Sequence, residues 1–170
     1  MSPSRVCQIL HEEHLGTQRF VDRLQAMLGR HPRAHPDRGD PAVAGVLEDL
    51  PRALGAELAG HFDFEEERLF PLLAADGEAA IGAHLTEEHE AMRPLFGRLL
   101  DVGAMALTAG FGDATWSEFR LAAAELCGQL LAHVQKEEMV LLPLLEETLD
   151  PESDAGLCDV YAGNAGGIPP

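Results

Sequence analysis

The chain has 170 residues, 46% of them apolar, and a formal net charge of −17. That length favours one domain with a real hydrophobic core, while the acidity argues against nucleic acid and anionic membrane surfaces, which both attract clustered Lys and Arg. No apolar run approaches the ~18 residues of a membrane span, and the odd set of Cys7, Cys127 and Cys158, with no CxxC, excludes a disulfide framework and a thiolate zinc site.

Reduced thiols and an N-terminus without an apolar h-region lead to the expectation of a cytoplasmic protein with no signal peptide. A first amphipathic helix is predicted from Ser4 to Leu28. Its apolar seam is Leu10, Val21, Leu24 and Leu28, with His14 on the same stripe. Gly29 to Pro41 has loop composition. A second helix is predicted from Ala42 to Ala75, with the seam Leu47, Leu50, Leu54, Leu58, His61, Glu65, Leu69 and Leu72. Every step there is three or four residues, so His61 and Glu65 stand where Leu would otherwise be. After a break at Asp76-Gly77, a third helix runs from Glu78 to Val102 through Ile81, Leu85, His89, Met92, Phe96 and Leu99. Gly103 to Asp113 reads as a loop, although the stretch 104–107 could prolong the helix. A fourth helix spans Thr115 to Leu149 with the seam Trp116, Phe119, Ala123, Leu126, Leu130, His133, Glu137, Val140 and Leu144. Residues 151–170 form a Gly- and Pro-rich tail expected to be loose, with Leu157, Val160 and Tyr161 as candidates for a docking contact. The expected fold is all-α: an up-down-up-down four-helix bundle over residues 1–150.

The two halves of the chain resemble each other. HFDFEEERLFPLL (61–73) aligns without gaps on HVQKEEMVLLPLL (133–145), and EEHLGTQRFVDRL (12–24) resembles EEHEAMRPLFGRL (87–99). Each half is therefore a helical hairpin with one histidine on its first helix and His-x-x-x-Glu on its second. Two such pseudo-symmetric hairpins bring His14, His61, Glu65, His89, His133 and Glu137 to the middle of the bundle. His and Glu at i and i+4 share one helical face. Buried without partners, these carboxylates would cost several kcal/mol each or become protonated. A dication removes that penalty and adds binding energy. Imidazole and carboxylate without thiolate suit iron, manganese or zinc.

The pattern resembles the hemerythrin-like (HHE cation-binding) domains over about residues 5–149. By that resemblance His14, His61, His89 and His133 are terminal ligands, and Glu65 and Glu137 are bridging carboxylates. The cofactor it implies is a pair of iron ions with an oxo or hydroxo bridge; zinc or manganese are the alternatives. One ion would take His14 and His61 and the other His89 and His133. The resemblance departs from the oxygen carriers at two points. They have HxxxH on the third helix, whereas His84 lies five residues before His89 and points elsewhere in a regular helix unless a π-bulge intervenes. They also end in HxxxxD, whereas Glu137 stands at spacing four and Glu138 at five. His11 and His84 are secondary candidates for ligation. Glu13, Glu66, Glu88 and Glu138 read equally as acceptors for imidazole N–H groups or as surface charge. Tyr161 would cover the site if the tail folds back. The expected function is a di-iron protein, more a binder or sensor of O2 or NO or a handler of iron than an enzyme. The alternatives are a di-iron enzyme acting on peroxide or NO damage, and a bundle with structural zinc or manganese.

Overall fold

The computed structural model describes residues 4–165. Four long helices form the bundle: α1 (Arg5–Arg30), α2 (residues 41–75), α3 (Ala79–Ala109) and α4 (residues 113–148). A fifth helix, α5 (Pro151–Ala165), packs on α1. No strand occurs among the described residues.

The helix boundaries follow from capping chemistry. Ser4 caps α1, and Asp40 caps α2 by accepting from the Ala42 and Val43 amides, with Pro41 pre-set at the first helical position. The predicted loop at 103–113 is much shorter than expected. α3 continues to Ala109 because Ala104, Met105, Ala106 and Leu107 are all compatible with a helix. Gly110, at φ +80°, then stops it.

Neither α2 nor α4 is α-helical throughout. Each contains a π-helical turn, Glu65–Leu69 in α2 and Glu137–Leu141 in α4. In these turns the Phe70 amide bonds to the Glu65 carbonyl and the Leu142 amide to the Glu137 carbonyl, an i→i−5 pattern. The next residue in both cases is a proline, Pro71 and Pro143. Its ring would collide with the carbonyl four residues back in a regular helix, and the wider turn accommodates it. A further π-helical stretch, Pro51–Leu58, begins at Pro51. These turns also reset the phase. In an α-helix each step of four overshoots a full turn by about 40°, so 61, 65, 69 and 73 would drift off one face. The wider turns cancel the drift. Leu69, Leu73, Leu141 and Leu145 are buried, whereas Leu72 and Val140, expected on the seam, are exposed.

The core divides into two apolar clusters with a polar layer between them. The larger holds Leu24, Leu47, Leu54, Leu99, Trp116, Phe119 and Leu126, among others. The smaller holds Val6, Leu10, Leu69, Leu73, Leu85, Leu141 and Leu145, and also Leu157 and Cys158 of α5. The tail expected to be loose is thus helical from Pro151 to Ala165. It is anchored by Asp154, which accepts from Ser4 Oγ at 2.6 Å and from the Arg5 and Val6 amides at 2.9 Å.

Candidate metal centre

The buried polar and charged side chains of the described core are His14, His61, Glu65, His89, His133 and Glu137, the six residues the repeat singles out. All are at most 6% exposed. They form two overlapping groups, His14–His61–Glu65–Glu137 and Glu65–His89–His133–Glu137, whose ligand-type atoms lie within 4.8 Å of one another. Both carboxylates belong to both groups. In the first, His14 Nε2 lies 3.0 Å from Glu137 Oε2, and His61 Nε2 lies 3.4 Å from Glu65 Oε1. In the second, His89 Nε2 is 3.4 Å from Glu65 Oε2, and His133 Nε2 is 2.8 Å from Glu137 Oε1.

The opposite nitrogen of every imidazole is tied to an outer carboxylate. His14 Nδ1–H donates to Glu138 at 2.6 Å, and His61, His89 and His133 donate to Glu13, Glu66 and Glu88 at 2.8 Å each. The pattern obeys the repeat. Each histidine on the first helix of a hairpin reaches across to the other hairpin, and each on the second helix reaches back to its own. All four acids therefore act as acceptors for imidazole N–H groups, one of the two roles the sequence left open.

These bonds decide the chemistry of the inner face. With Nδ1 protonated, each neutral imidazole presents the Nε2 lone pair inward. His89 Nε2 and His133 Nε2 face each other at 3.0 Å, the edge expected for two adjacent ligands with bonds of about 2.1 Å to one ion. Both oxygens of Glu65, both oxygens of Glu137 and His14 Nε2 are buried with no hydrogen-bond partner. Such orphaned groups are costly in an apolar interior, and they point into the same small volume. The donor set therefore fits metal cations. Without a cation, the same imidazoles and carboxylates hold one another in their charged forms. Burial disfavours the ionised carboxyl of Glu137, yet His133, His14 and His61 outweigh it and hold its pKa well below the usual range. Burial likewise opposes the charged form of His61, but Glu65, Glu13 and Glu137 hold it well above its ordinary value.

The chain matches the family model for the hemerythrin HHE cation-binding domain over residues 6–145. It belongs to that family. No curated protein matches it. The family binds metal cations, and the buried His and Glu groups of this hemerythrin domain are of the kind that hold them.

The secondary candidates fall outside the cluster. His84 is half exposed, in a regular stretch of α3, with its Nε2 3.4 Å from Glu88. His11 is also half exposed and meets Glu138 at 3.0 Å. Sequence reasoning missed the aromatic wall. Phe62 stacks on His89 at 3.7 Å between ring centroids, and Phe70 lies beyond at 5.9 Å. Adjacency to His61 was a signal for Phe62, but a regular helical wheel separates neighbours by 100° and hides it. The other side of the centre is open. His61 borders a cavity of about 480 Å³ between α1 and α2, lined also by Ile9, Glu13, Phe20, Leu58 and Tyr161. The Tyr161 hydroxyl donates to Glu13, and its ring packs edge-on against Phe64.

Proposed function

We propose that this hemerythrin-domain protein holds two iron ions, with His14 and His61 on one, His89 and His133 on the other, and Glu65 and Glu137 shared, and that it binds or senses a diatomic ligand such as O2 or NO. The observation that carries the dinuclear reading is the inward convergence of four Nε2 atoms on four carboxylate oxygens that have no hydrogen-bond partner. Iron is favoured over zinc by the family resemblance, while the all-nitrogen and oxygen donor set is compatible with either. The ions would supply redox capacity and the coordination position at which the diatomic binds. The protein supplies the rest. Glu13, Glu66, Glu88 and Glu138 fix each ring and its tautomer. Phe62 and Phe70 pack on the His89 ring, and the cavity beside His61 gives a small molecule a way to the centre. That cavity favours gas binding over a purely structural or storage role, which needs no ligand-sized space next to a ligand histidine.

The test is elemental analysis of protein purified without added metal, followed by visible spectra before and after exposure to O2 and NO. Two irons per chain and a charge-transfer band that responds to either gas are expected. Fewer than one transition-metal ion per chain would exclude the dinuclear centre. Two irons whose spectrum ignores both gases would exclude the gas-binding role.

A further inference from the structure

We infer that the two halves of the centre are inequivalent and that the position held by His14 and His61 takes up its ion first, because the carboxylates behind its imidazoles end on an imidazole and a phenol while those behind His89 and His133 end on an arginine and a lysine. The inference rests on the dinuclear reading.

The inner ligands repeat faithfully, and so do the four carboxylates behind them. The symmetry breaks one layer further out. Behind His14, Glu138 meets the imidazole of His11 at 3.0 Å. Behind His61, Glu13 accepts from the Tyr161 hydroxyl of α5, a helix beyond the residues the family model covers. Neither partner is a Lys or Arg, the side chains that stay cationic across the whole neutral range. Behind His89, by contrast, Glu66 lies 3.1 Å from Arg93 Nη2, and behind His133, Glu88 pairs with Lys136 Nζ. Both of these are permanent cations at neutral pH.

Other charges near each half do not reverse the balance. Arg93 is also 2.9 Å from the exposed Asp63, and His84 is 3.4 Å from Glu88. On the His61 side, Arg23 pairs with Asp49, and Arg52 with Asp49 and Glu57. Arg19 lines the same cavity as Glu12. The immediate surroundings of His14 and His61 therefore hold two carboxylates and no full cation. Those of His89 and His133 hold four carboxylates, Glu87 lining one cavity with Glu88 and His84, and two full cations, so the net charge is the same and the halves differ in whether the carboxylates behind the imidazoles are opposed by a cation.

One consequence follows for a dication. The imidazoles of His14 and His61 are the better donors, because a carboxylate that is not drawn off by an opposing cation pulls harder on the Nδ1 proton. Changes in such outer partners typically alter metal affinity by about 10–100-fold, so a gap of about tenfold between the two positions is expected.

The experiment uses the full-length chain, labelled with 15N, stripped of metal and titrated with Zn2+ as a probe that neither oxidises nor broadens the spectrum. Long-range 1H–15N spectra report each imidazole nitrogen separately. With one equivalent of Zn2+, about three quarters of the Nε2 signal of His14 and His61 is expected at the ligated position against about one quarter for His89 and His133, as a tenfold gap between independent sites requires. A second equivalent then completes both pairs. In the double variant with Arg93→Met and Lys136→Met, which leaves the carboxylates behind His89 and His133 unopposed, these two histidines are expected to respond no later than His14 and His61. Simultaneous movement of all four in the unmodified chain, or movement of His89 and His133 first, overturns the inference and leaves the dinuclear reading intact. If no histidine responds at several equivalents, the dinuclear reading itself fails.

Discussion

The two apolar ends of the bundle are built differently. The end that contains Leu24, Leu54, Leu99, Trp116 and Leu126 draws on all four long helices, and Phe111, Trp116 and Phe119 stack among themselves beneath the 110–112 connection. It closes without help from any other element. The opposite end is a thinner cluster bounded on one side by the six polar side chains and on the other by α5. Its apolar area is smaller, so it depends on what happens at both boundaries. One end of the molecule is thus a self-sufficient hydrophobic core, and the other is held in place by the site and by the C-terminal helix.

Metal removal should break this comparison most visibly. An ion present at a thousand times its Kd stabilises the folded state by about 4 kcal/mol, and its loss leaves the Glu65 and Glu137 oxygens unpaired. Hydrogen exchange is expected to accelerate at amides 5–10, 69–73 and 141–145 while amides around Leu54 and Leu126 stay protected. Uniform acceleration at both ends would show that the bundle responds as one unit. Next in size is Leu157→Ala, which removes the main apolar contact of α5. Truncating a buried leucine costs about 2–5 kcal/mol, and the lower half of that range is expected at the rim of a small cluster. Urea denaturation should report the loss, again with exchange rising only at the small end.

The smallest effect is expected for Asp154→Asn. Asp154 is slightly desolvated, but its bonds to Ser4 and to the Val6 and Arg5 amides hold its pKa below the usual carboxylate value. Because the folded value is depressed, the stabilisation is present above pH ~4 and fades as pH falls through the folded pKa. The variant should lose about 0.3–1 kcal/mol at neutral pH, the usual weight of an anionic side chain at a helix N-terminus, and converge on the parent in acid. A constant difference across the whole pH range would mean that the carboxylate charge is not what matters.

Much of this was legible beforehand. His61, Glu65, His133 and Glu137 stand out because polar residues interrupt leucine seams, and the internal repeat supplies His14 and His89. The structure gathers all six in one buried layer. The π-helical turns were not legible, because a helical wheel assumes a fixed rotation per residue, and a wider turn shifts every later position. The signal that could have revealed them is the proline six residues after each glutamate, Pro71 and Pro143. α5 was obscured by Gly156 and Gly163 and by the absence of a clear apolar stripe. Its start was nevertheless written in Asp150-Pro151, since Asp150 accepts from the Ser153 amide at 2.7 Å and proline suits the first turn. Tyr161 lies one turn beyond Leu157, but nothing local told which carboxylate it would meet.

The crossed pairing of hairpins has a consequence for the order of events during synthesis. His14 depends on Glu137 and Glu138, more than a hundred residues downstream, and His89 depends on Glu65 and Glu66 of the preceding hairpin. The first hairpin leaves the ribosome with two histidines and one inner carboxylate, but without the second inner carboxylate that completes the His14–His61 set. Domains of a nascent chain generally fold as units, and here the unit stays open until Glu138 has emerged. Neither hairpin alone carries all of the inner His and Glu side chains, so the proposed ligand set is complete only after Glu137 has been made.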